Sequence, residues 1–170
     1  MEHTIDRAIY KSKGKHDECY TPQYAVEAIL PYIPSNLTIW CPFDTEESFF
    51  VKVLRENGFN VVRSHIDEGK DFFEYEPEHW DIIVSNPPFT NKTRIFERAF
   101  SFGKPFILLM TAQWLNDSAP IKLYHKYKKE LQIIHFTKRI DFIGGQGMIP
   151  FKSIYLCCDI LPKGNILLDI

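Results

Sequence analysis

The sequence lacks the features that mark metal, redox and membrane proteins. Its four cysteines, Cys19, Cys41, Cys157 and Cys158, form no Cys-x-x-Cys pair. Its six histidines are scattered, and none makes a spaced pair with cysteine, so no metal-ligand cluster is expected. Cys157 and Cys158 are adjacent in the apolar run SIYLCCDI. They read as buried reduced thiols, which suits a cytoplasmic compartment. No apolar run reaches about 18 residues, so no membrane span is expected. The opening MEHTIDRAIYKSKGKHDE has no apolar core of the kind a signal peptide needs. An excess of one charge is also missing: 20 Lys and Arg stand against 22 Asp and Glu, a formal charge of −2. Such a chain does not coat nucleic acid by bulk electrostatics, but a local basic groove stays compatible with it.

What is present fits one soluble domain. The chain has 170 residues, 45% hydrophobic and 25% charged, enough for one sizeable core. Residues 1–18 are polar and charged and read as an N-terminal arm. Residues 19–170 read as a single domain. Aromatic content is high at 15%, with 14 Phe, 8 Tyr and 3 Trp. That suits a flat-ring ligand as well as a dense core.

Helical and strand patterns alternate along the domain. CYTPQYAVEAILPYI reads as a helix with Thr21 as N-cap and Pro22 at its first position. NLTIWCPFD is a short strand stopped by Pro42. TEESFFVKVLRENGF is a helix capped by Thr45 and ended by Gly58. NVVRSHI and DIIVSN are strands, with a loop between them. NKTRIFERAFSFG is a helix, PFILLMTA a strand and SAPIKLYHKYKK a basic amphipathic helix. LQIIHFTK and FKSIYLCCDIL are two more strands, separated by the glycine-rich DFIGGQGMIP. This alternation predicts an α/β fold with a mainly parallel sheet and helices on both faces. The last two strands have no helix between them, so an antiparallel strand is expected at the sheet edge.

In an open α/β sheet, ligands bind beyond the carboxyl ends of the strands. Those ends hold Cys41 to Asp44, then His65, Asp67 and Asp71, then Ser85 to Phe89, then Thr111, Gln113 and Trp114. Polar and aromatic groups therefore collect on one edge. Asn86-Pro87-Pro88-Phe89 is the sharpest of them. The Asn amide offers one acceptor and two donors. Both prolines have fixed φ and donate nothing, and Pro87 pushes Asn86 to an extended conformation. The outcome is a rigid set of acceptors beside a ring. It suits a planar amino group held by the Asn oxygen and a backbone carbonyl, with its ring stacked on Phe89.

Here the sequence resembles the adenine-specific DNA methyltransferases that use S-adenosylmethionine, and most closely their small phage- and prophage-encoded members. Their catalytic motif is Asp/Asn/Ser-Pro-Pro-Tyr/Phe/Trp, which Asn86-Pro87-Pro88-Phe89 matches throughout. The likeness runs over about residues 20–158. It implies a class I methyltransferase-like, Rossmann-like fold, S-adenosylmethionine as cofactor and DNA as partner, with the target adenine flipped into the pocket. It also implies a bacterial host cell for the protein. Cytosine-ring chemistry would need a Pro-Cys nucleophile, and no Pro-Cys occurs.

The resemblance assigns further residues. Tyr20, Thr21 and Pro22 occupy the lead-in that contacts the methionine end of the cofactor. Asp44, with Ser48 near it, occupies the first cofactor loop, where an acidic residue meets a glycine-rich turn. This sequence has no glycine between Asn36 and Asn57, a departure that bears on how closely the backbone approaches the cofactor. His65 or Asp67 falls where an acid binds the ribose hydroxyls. Asp71 and Phe72 resemble the pair that meets the cofactor adenine. Lys92 and Arg94 follow the catalytic loop and are candidates for phosphate contacts. The segment KRIDFIGGQGMIPFKS resembles the part near the flipped base, which nominates Arg139, Phe142 and Phe151. The same Asn-Pro-Pro-aromatic motif serves enzymes acting on RNA adenine and on protein glutamine. A chain of this length has no room for a large target-recognition domain, so a recognition partner or a homodimer is a further expectation.

Overall fold

The computed structural model describes residues 21–142 and 151–170. Seven strands form one sheet: β1 (Thr38–Cys41), β2 (Asn60–Arg63), β3 (Ile82–Ser85), β4 (Phe106–Thr111), β5 (Gln132–Phe136), β6 (Ser153–Cys158) and β7 (Asn165–Leu168). Their order is β2-β1-β3-β4-β6-β5-β7. β1 pairs in parallel with β2 and β3, β3 with β4, and β5 with β7. β6 runs antiparallel to both β4 and β5. The antiparallel strand expected at the edge thus lies inside the sheet. The edge belongs to β7, a parallel strand that the apolar pattern did not reveal.

Among the described residues, four α-helices cover the two faces. α1 (Gln23–Glu27) and α2 (Phe49–Glu56) pack on one face, where Ala25, Ile29, Phe50 and Leu54 meet Ile39, Val84, Ile107 and Tyr155. α3 (Lys92–Ser101) and α4 (Ser118–Lys126) pack on the other, where Ile95, Phe96, Phe100 and Tyr124 meet Ile83, Phe106, Leu108 and Leu156. β3, β4 and β6 are buried at every position. Sheet residues covered on both faces read as continuous apolar runs.

Two caps differ from expectation. The cap position of α1 is Pro22, not Thr21, and no side chain caps it. Ser48, not Thr45, caps α2, its Oγ accepting from the Phe50 N–H at 3.2 Å. Pro22 is extended ahead of α1, whereas Thr45 opens a turn, closed by the Ser48 N–H on the Thr45 carbonyl at 3.2 Å, that comes before α2. Gly58 and Gly103 do end α2 and α3, with φ of +85° and +65°, a conformation that glycine adopts freely.

Candidate functional site

β1 and β3 are neighbours, but the chain leaves β1 for β2 on one side and returns to β3 on the other. That reversal opens a crevice beyond the carboxyl ends of β1 and β3. The loop after β1 carries Asp44. Asn86 directly follows β3.

Asp44 is 5% exposed and bridges the two loops. One carboxylate oxygen accepts from Ser48 Oγ, and the other accepts from the fully buried Ser85 Oγ. Ser48 in turn caps α2. A second set of contacts fixes the outer side of the loop. Glu46 accepts from Arg55 of α2 and Arg63 of β2, and Arg63 also pairs with Glu68. The Arg55 guanidinium first, then Arg63, holds the Glu46 carboxyl below its usual range. No described residue other than Asn91, Lys128 and Asp159 combines a side chain with positive φ. The glycine-poor loop therefore needs no left-handed position, and side-chain bonds fix its path. Beneath it, burial and then the nearby Asp44 charge push the Cys41 thiol well up.

Past Asn86 the chain turns through buried Pro87 and exposed Pro88 to Phe89. Asn91 sits at φ +58° and starts α3. Phe89 and Phe151 meet edge to face with centroids 5.7 Å apart. β6 is antiparallel, so its amino end lies at the same sheet edge as the carboxyl end of β4, with Ser153 opposite Thr111. That reversal brings Phe151 to Phe89. An open cleft of about 450 Å³ adjoins them, lined by Phe89, Asn91, Lys92, Thr93, Arg94 and Glu97. The Arg94 guanidinium lies 4.2 Å from the Phe73 ring centre, and Lys92 Nζ lies 5.8 Å from that of Trp114.

The other nominated residues are placed differently. Phe72 is 3% exposed and packs among Trp40, Phe43, Phe73 and Phe102. The partly exposed rings of that group are Phe43, Phe73 and Phe102. Asp71 accepts the Phe73 N–H at 2.9 Å, closing a local turn. His65 Nδ1 accepts the Asp67 N–H at 3.3 Å, just beyond β2. Phe142 packs with the α1–α2 side of the core, away from Phe89, and Arg139 is exposed beyond β5. Tyr20 and the glycines of the GGQG stretch lie outside the described residues.

The residues fit the implied cofactor on two counts. A buried carboxylate stands at the switch point, suited to an ammonium. The hydroxyls of Thr21 and Ser153 are buried with no hydrogen-bond partner among the described residues, which leaves donors for a ligand. No described group of His, Cys, Asp and Glu could hold a metal ion. No described helix is long and apolar enough to cross a membrane.

Ser85 and Phe43 stand among the strand-end residues of the sequence but were given no role there, and Ser153 escaped the sequence reading. A hydroxyl at the last position of a buried strand, next to a functional Asn, is the signal that could have found Ser85.

No protein-family model and no curated protein matches the chain. Among solved structures it is similar to a candidate class I S-adenosylmethionine-dependent methyltransferase from Listeria monocytogenes. That superposition has a TM-score of 0.53 at 14% identity, covering 98% of this chain and 69% of the other. A candidate methyltransferase from Thermoplasma acidophilum gives a TM-score of 0.42 at 11% identity, covering 78% of this chain and 60% of the other. The match over nearly the whole chain, joined to the sheet order and its one inserted antiparallel strand, shows that the chain has the class I methyltransferase fold.

Proposed function

We propose that the protein transfers a methyl group from S-adenosylmethionine to an exocyclic amino group, that of adenine in DNA. The observation that carries this reading is the place of Asn86-Pro87-Pro88-Phe89. The motif leaves β3 at the switch point of a class I methyltransferase fold and opens onto a cleft lined by Phe89, whose ring meets that of Phe151.

Asn86 Oδ1 and the Pro87 carbonyl accept the two N–H groups of the target amine. Their pull raises electron density on nitrogen and fixes its lone pair toward the cofactor. Phe89 and Phe151 take the flipped base ring. Lys92 and Arg94 hold flanking phosphates. Thr21, Pro22, Asp44 and Ser48 hold the methionine end of the cofactor, His65 or Asp67 the ribose, and Asp71 and the Phe72 cluster the adenine. When bound, S-adenosylmethionine supplies a methyl group on a sulfonium that leaves as a neutral thioether. The amine forms the new C–N bond and loses one proton to solvent. Positioning and polarisation are the protein's contribution.

A second reading is favoured by the basic helix α4. Its Tyr124 is buried and donates to the Cys157 carbonyl at 2.7 Å, and its Lys126 pairs with Glu97. Just beyond the helix, Lys129 pairs with Asp159. With these two cations paired, a protein glutamine amide, which brings no phosphates, fits the same cradle, and an RNA adenine offers it the same amino group as DNA. Labelled cofactor incubated separately with unmethylated duplex DNA, structured RNA and protein distinguishes these. N6-methyl-2′-deoxyadenosine in the DNA arm is the expected product. Label in another arm moves the substrate. Absence of cofactor binding by calorimetry at millimolar ligand leaves a non-catalytic remnant.

A further inference from the structure

Ser85 is assigned no role by the motif that follows it, yet its environment is specific. It is the last residue of β3, fully buried, and its hydroxyl donates to the Asp44 carboxylate across the crevice. The other oxygen of that carboxylate accepts from Ser48, whose Oγ also accepts the Phe50 N–H at the start of α2. A continuous chain of bonds therefore runs from α2 through Ser48 and Asp44 to Ser85, the residue peptide-bonded to Asn86. The loop that leaves a central strand opens more readily than the strand itself. Here it is tied to a buried charge, and a hydrogen bond to a charged acceptor is among the stronger ones.

We infer that Ser85 is a positioning residue: through Asp44 it fixes the Asn86 amide relative to the first cofactor loop, so that the two halves of the crevice hold one geometry. This rests on the methyl-transfer reading for its consequence in turnover, but not for the coupling itself. The Asp44 carboxylate stays buried and bonded to Ser48 when Ser85 is changed, so cofactor affinity and amide placement separate.

The test uses the full chain labelled with ¹⁵N. The Asn86 side-chain amide pair is assigned by its loss in Asn86→Ala. In Ser85→Ala that pair should shift or broaden, while the amide of exposed Asn165 on β7 stays in place. Asp44→Asn should disturb the Asn86 pair in the same way, and adding Ser85→Ala to it should change little more, as expected for residues acting in one chain. In the transfer assay, Ser85→Ala should lower kcat about 10- to 100-fold, with the cofactor Kd changed less than about twofold. An Asn86 pair unmoved by Ser85→Ala overturns the inference. So does a raised cofactor Kd with kcat intact, which would make the Asp44 side a direct ligand only. Should the wild-type protein methylate nothing, the proposed function falls, and the amide spectra still decide the coupling.

Discussion

Asn86 is constrained from both sides. Pro87 holds it extended, and Ser85 ties its other neighbour to Asp44. Asn86→Ala removes the amide without loosening either restraint. Transfer should therefore fall below detection, while calorimetry shows cofactor binding within about threefold of wild type, since the loss concerns the transition state alone. The cysteines make a second argument at this scale. Burial first pushes up the thiols of Cys41, Cys157 and Cys158, that of Cys158 to about 12. A folded pKa above the unfolded value stabilises the fold fully below the unfolded pKa and loses that effect as pH rises through the folded one. With a reference value of 9.0 for the free thiol, the denaturation midpoint should hold from pH 7 to 9 and fall above it. In a Cys19→Ser protein at pH 8, a thiol reagent should label nothing until the chain unfolds, because the thiolate is the reacting species.

At the scale of elements, α3 and α4 look alike in charge but differ in use. Lys92 and Arg94 open α3 beside the cleft, where the helix dipole favours anions rather than cations. Each lies against a ring and pairs with no carboxylate among the described residues. Lys126 of α4, and Lys129 beyond it, are neutralised by Glu97 and Asp159. Lys92→Ala with Arg94→Ala should weaken nucleic-acid binding and cut the slope of log K against log salt by about 2. Lys126→Ala with Lys129→Ala should leave that slope unchanged, as a filter-binding titration would show. The first loop gives a stability counterpart. Ser48→Ala removes a cap and a bond to a buried carboxylate, and should cost about 1–3 kcal/mol in a urea titration. Much of this was legible in the chain. The two glycine stops, the order of strands and helices and the strand-end motif all follow from local period and φ. The caps were placed early: Thr45 and the nearer Ser48 carry the same signal, and at the first helix Pro22 takes the cap position that Thr21 was expected to fill. Phe72 was read as a ring open to the cofactor, but sequence spacing does not tell a ring in a cluster of four aromatics from one at its rim. β7 stayed hidden since Pro162 and Gly164 make its lead-in read as a tail, and only its pairing with β5 supplies the strand.

For the whole molecule, the sheet order decides which parts are rigid. β3, β4 and β6 lie centrally and are covered on both faces, whereas β2 and β7 each have one open edge and are partly exposed. An open strand loses its bonds by local fraying, but a central strand loses them only when the helices leave both faces. Asn86 hangs from β3, and Phe151 lies just ahead of β6, so the groups that would hold the target amine and its ring stand on two of the three strands buried throughout. His65 and Asp67, on the ribose side, follow the edge strand β2. The substrate half of the crevice should then be stiff and the ribose half adjustable. Native-state hydrogen exchange tests this. Amides of β3, β4 and β6 should exchange with the free energy of global unfolding, and those of β2 and β7 by openings costing markedly less. Added S-adenosylmethionine should slow the β2 amides far more than those of β4. Equal protection of β2 and β4 before ligand, or slowing confined to β4, would place the adjustable half elsewhere.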